Sequence, residues 1–68
     1  MRGRVKWFDE NRGVGIIKVS ETGKEVTVHY RDIVGDGFKV LDEGEEVEFE
    51  IEESIGRAKA VRVKKIGY

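Results

Sequence analysis

The chain has 68 residues, which leaves room for one small core and excludes a second domain. It contains no Cys, so neither a disulfide framework nor a thiolate metal site is available to staple it. Charged residues make up 40% of the sequence at a net charge of −1, and no apolar run is long enough to span a bilayer, so the chain reads as soluble and cytoplasmic.

In chain order, residues 3–8 set Arg4 and Lys6 against Val5 and add the bulk of Trp7 and Phe8, which predicts a strand. Strict alternation places Trp7 with Val5, facing inward. Residues 9–13 are polar, end in Gly13 and read as a turn. Residues 14–19 resume β-branched character, and residues 20–24 supply a second turn. A third strand follows over residues 25–30, with Val26 and Val28 on one side and Thr27 and His29 on the other.

The next segment, residues 31–44, contains Gly35, Gly37 and Gly44 and no sustained period. It predicts a long connection with one helical turn around residues 32–34. The clearest alternation comes next, with Val47, Phe49 and Ile51 on one side and Glu46, Glu48, Glu50 and Glu52 on the other. Residues 54–57 turn the chain into a last strand over residues 58–66, in which Val61 and Val63 alternate with Arg62 and Lys64. Five short strands of this kind predict an all-β domain, and a closed barrel is the usual way to bury its edges. An SH3-like barrel fits the same pattern.

Charge is unevenly distributed. The first 34 residues hold seven Lys/Arg against five Asp/Glu, and the remainder holds six against nine. A barrel that separates the two halves' side chains can keep a positive face despite its total.

The stretch Gly3-Arg4-Val5-Lys6-Trp7-Phe8 followed by Arg12-Gly13-Val14-Gly15-Ile16-Ile17 resembles the opening of a bacterial cold-shock protein. Val26-Thr27-Val28-His29-Tyr30, Asp36-Gly37-Phe38-Lys39 and Glu43-Gly44 continue the resemblance in register, so that it covers nearly the whole chain. It implies a five-stranded antiparallel OB-fold barrel, with residues 1–68 as a single cold-shock domain. It also implies that single-stranded RNA or DNA lies across one face, bases on rings and phosphates towards a basic rim.

Carried over position by position, that face comprises Trp7, Val14, Ile16, Thr27, His29, Tyr30 and Phe38, with Lys6, Arg12, Arg57 and Lys59 as its rim. The family pattern has aromatics where this chain has Val14, Ile16 and Thr27. Stacking is worth about 1–3 kcal/mol per base, so the resemblance implies a weaker or more selective binder than a typical member. Asp9 stands where the family commonly has a neutral amide, and a carboxylate near phosphates is repulsive. For Trp7 to face outward, the first strand needs a bulge or twist near its end.

Other readings of the same residues are blander. His29 is the one His and no Cys accompanies it, which argues against a metal site. Gly13 and Gly15 are followed by no helix, and they fit strand and turn geometry better than a phosphate loop. The Glu run reads as the solvated outer face of a strand. No spacing suggests a set of acid, base and nucleophile, so the expectation is a binding module, not an enzyme, with no cofactor and no small-molecule substrate.

As implied by the resemblance, the chain is a monomeric RNA chaperone or a regulator of transcription or translation. The competing reading is a barrel that has lost its nucleic-acid platform and serves as a protein-interaction or structural module.

Overall fold

The computed structural model describes residues 1–35 and 40–66. Its strands are β1 (Arg2–Asp9), β2 (Val14–Val19), β3 (Glu25–His29), β4 (Glu46–Ser54) and β5 (Arg57–Lys65), with one 3-10 turn, Tyr30–Asp32, after β3. They close into a barrel in the order β1-β2-β3-β5-β4, and β4 returns to β1. No helix among the described residues is long and apolar enough to cross a membrane.

Period-two patterning builds the interior. Val5, Ile17, Val19, Val26, Val28, Val47 and Phe49 all point inward and are buried. Each such side chain contributes roughly 1.5–3 kcal/mol by leaving water. Gly3 is needed where β1 crosses this interior, because a Cβ there would meet the Lys18 carbonyl oxygen at 2.5 Å and Phe49 Cε1 at 2.9 Å. The long connection also feeds the core. Ile33 bridges to Val63, the Val34 N–H donates to the Val63 carbonyl at 2.8 Å, and Leu41 is buried.

Two features depart from the simple alternating, antiparallel expectation. Four of the five seams are antiparallel, whereas β3 and β5 pair in parallel through Thr27 with Lys59 and Val28 with Ala60. These two strands are joined through β4, so their relative direction is set by the intervening connections and not by a hairpin. Along β5, Val61 and Val63 do not share a face. The register slips opposite Phe49, Arg62 adopts φ +50°, and Ala60 and Val63 are the buried pair, leaving Val61 half-buried.

The β4–β5 hairpin turns through Ile55 and Gly56 between the paired Ser54 and Arg57. Both loop residues have positive φ, 28° and 71°, the combination of a type I′ turn. A β-branched residue is strained there, and Ile55 buries nothing in compensation, being 102% exposed. Ile55→Asn is expected to stabilise the fold by about 1 kcal/mol, a rise of roughly 4–8 °C in melting midpoint for a domain of this size. An unchanged or lower midpoint in a thermal melt contradicts this account of the turn.

Candidate nucleic-acid interface

The site begins with one extra residue in β1. Val5 pairs with Ile17, but Trp7 pairs with Ile16, so Lys6 is inserted into the ladder and the register slips there. Without it, Trp7 would follow Val5 into the barrel. With it, Lys6 and Trp7 both face solvent, and Trp7 is 44% exposed. Gly15 makes the slip possible, because a Cβ at that position would meet the Trp7 carbonyl oxygen at 2.5 Å and the Phe8 ring at 2.7 Å.

The slip aligns side chains across four strands. Trp7 on β1, Ile16 on β2, Thr27 on β3 and Lys59 on β5 are successive cross-strand partners, one row running from an indole through apolar and hydroxyl groups to an ammonium. At about 4.8 Å between strands, the row is roughly 14 Å long. A second row, two residues along, carries Asp9, Val14 and His29. Both rows lie on the outer face, and the intervening Gly15 and Val28 are buried.

Trp7, Val14, Ile16, Thr27, His29 and Lys59 together line a shallow depression of about 230 Å³. Asp32, which the sequence reading did not single out, completes its wall. The signal was present as spacing. Asp32 lies three residues after His29, and residues three apart share a face once the chain enters a 3-10 turn. The sequence placed the helical turn at residues 32–34, two residues too late to pair them.

Tyr30 opens that turn and is 45% exposed, its ring centroid 4.6 Å from that of His29 at an interplanar angle of 35°. The Tyr30 N–H donates to the Gly13 carbonyl at 2.7 Å, and a Cβ on Gly13 would run into the tyrosine ring. Gly13, at φ +70°, thus lets the ring lie over the β1–β2 turn. His29 Nδ1 accepts from the Arg31 N–H at 3.3 Å, which leaves the proton of the neutral ring on Nε2 as a donor. Arg12 and Tyr30 line an adjoining depression of about 270 Å³.

Arg57 is not part of this assembly; it lines a separate groove of about 420 Å³ between the β2–β3 and β4–β5 turns. Phe38 lies outside the described residues.

The rim cations are already engaged. Lys6 Nζ lies 2.8 Å from Glu25, Arg12 Nε 3.9 Å from Asp9, and Lys59 Nζ 3.6 Å from Glu52. All three pairs are exposed and are worth at most about 1 kcal/mol each, so a phosphate can displace the carboxylates. Asp9 has a local task as well, because its Oδ1 accepts from the Asn11 and Arg12 N–H groups and fixes the β1–β2 turn.

A closed five-stranded barrel that presents a ring, an apolar strip, hydroxyl and imidazole groups and cations on one strand face has the make-up of an oligonucleotide-binding barrel. The family model of the 'Cold-shock' DNA-binding domain matches residues 1–66, and the chain belongs to that family.

Among its relatives, the cold shock-like protein CspE of Bacillus anthracis is 48% identical over 66 residues, which cover 97% of both chains. The cold shock-like protein CspC of Escherichia coli K12 is 46% identical over 66 residues, covering 97% of this chain and 96% of that protein. The cold shock protein CspB of Bacillus caldolyticus is 48% identical over 65 residues, covering 96% and 97%. A solved structure, drosophila Unr CSD456, superposes with a TM-score of 0.81 at 23% identity. This chain spans 97% of its own length and 26% of that longer chain in the match, a likeness of fold.

The chain is therefore a nucleic-acid-binding protein of the cold-shock type, a family that binds single strands and performs no catalysis. Membership favours this over a barrel kept only for structural or protein contacts.

Because Glu25 holds Lys6 at the rim, Glu25→Gln is expected to tighten binding of an oligothymidine about threefold at low salt. The gain should disappear at high salt, and weaker binding by the variant contradicts the rim assignment.

Proposed function

We propose that the outer face of β1, β2 and β3, with Lys59 of β5, binds one unpaired strand of RNA or DNA, bases against the depression and phosphates along the rim. The observation that carries the reading is the in-register row Trp7, Ile16, Thr27 and Lys59, with Trp7 turned to solvent. Trp7, His29 and Tyr30 supply rings, and Val14 and Ile16 supply apolar contact. Lys6, Arg12 and Lys59 supply charge, with Arg57 and Phe38 proposed as outlying contacts.

The work is thermodynamic. A protein that binds the open strand and not the duplex shifts the equilibrium towards the open form by mass action, the activity of an RNA chaperone or of a regulator acting on transcripts. Residues 1–68 act as one domain, in the cytoplasm and as a monomer. Closure of the barrel supports the monomer, because it pairs the strand edges that would otherwise recruit a second sheet.

Titration of Trp7 fluorescence with a short oligothymidine tests the reading. Saturable quenching is expected, weakening with salt at a slope near −2 in log K against log salt. That slope corresponds to about −0.7 for each of the three rim cations. The double variant Val14→Phe, Ile16→Phe restores rings at two positions and should bind at least tenfold more tightly. Absence of quenching at high micromolar oligonucleotide, or unchanged affinity of the double variant, places the site elsewhere.

A further inference from the structure

The depression contains a carboxylate that neither the fold nor the rim accounts for. Asp32 ends the 3-10 turn that follows β3 and is half-buried. Among the described residues its side chain makes no ion pair or hydrogen bond, whereas Asp9, Glu25 and Glu52 each engage a rim cation. Asp32 and Lys59 both line the 230 Å³ depression and also the one next to it, without forming an ion pair with each other. A lone carboxylate beside a phosphate-binding rim weakens any sequence-independent attraction. A base that donates hydrogen bonds to it would offset that loss.

The chemistry of base edges decides which one. Unpaired bases expose their Watson–Crick edges to side chains. On guanine that edge presents N1–H and N2–H as adjacent donors, with O6 as the neighbouring acceptor. A carboxylate can accept both N–H groups in parallel, as it does from a guanidinium. Thymine and uracil offer a single N–H between two carbonyl oxygens, which would face the carboxylate with like charge. Adenine and cytosine offer one amino group beside an unprotonated ring nitrogen. Guanine alone gives the carboxylate two parallel N–H donors and still sets an acceptor beside them for an ammonium.

We propose that the depression selects guanine, held against Trp7 over the Ile16 floor, with the Asp32 carboxylate accepting from N1–H and N2–H and Lys59 Nζ donating to O6. The inference rests on the strand-face reading above and adds the base to it. The aliphatic residues at 14 and 16 fit this scheme, because they leave a depression where the family's rings would offer a flat surface.

Isothermal titration of heptathymidine and of the same heptamer with one central guanine, using the whole chain, provides the test. The wild-type protein is expected to bind the guanine heptamer about tenfold more tightly. Asp32→Ala and the isosteric Asp32→Asn should both lose that preference. They should bind heptathymidine equally well or up to about threefold better, because a negative charge has left the phosphate path. Loss of affinity for the guanine heptamer with none lost for heptathymidine is something a merely structural Asp32 could not produce, and thermal melts report whether either variant has lost its fold. Equal binding of the two heptamers by the wild-type protein, or a preference that survives in both variants, overturns guanine selection and leaves the interface standing. Failure to bind either heptamer overturns both.

Discussion

One inserted residue in β1 governs what this barrel can do. The core asks β1 to alternate, and it does so through Gly3 and Val5, both buried against β2 and β4. Continued alternation would carry Trp7 inside, leaving the first strand with no ring to offer a base. The slip at Lys6 breaks the alternation after the core has been served, and Gly15 supplies the space for the backbone to do it. The cost is an indole partly left in water, which is relieved when a flat partner covers it. Stability and exposure are thus separated along a single strand, with Gly3 and Val5 serving the core before the slip and Trp7 turned to solvent after it.

Electrostatics follows a comparable division. The net charge of −1 is unusual for a protein that handles phosphates, yet the strand face still carries cations. They are held in exposed pairs with Glu25, Asp9 and Glu52. Similar pairs cover the outer face of β4, where Arg4 meets Glu46 and Arg62 meets Glu50 at 3.0 Å. Such pairs lower non-specific attraction without abolishing it, since each is weak in water and can be exchanged for a phosphate.

Much of the architecture was legible because each strand is short, half-buried and written in a period of two. Val26 and Val28 against Thr27 and His29, and Val47 and Phe49 against their glutamates, carried those assignments directly. A period of two cannot show an inserted residue, however, so the positions of Trp7 and of the Val61–Val63 pair were not readable from alternation. For Trp7, family resemblance supplied what pattern could not. The parallel β3–β5 seam depends on how distant segments meet, as do the pairing of Lys6 with Glu25 across β2 and the company Arg57 keeps. Asp32 escaped for a smaller reason, a helical turn placed two residues late.

The orientation of Trp7 is the point on which the account turns, and the chain's one tryptophan makes it directly observable. Emission of the free protein should be that of a largely hydrated indole, readily quenched by acrylamide, and should shift to shorter wavelength as an oligonucleotide covers the ring. A blue-shifted emission in the free protein that resists acrylamide would mean that the indole lies within the barrel, and the strand face described above would lose its anchor.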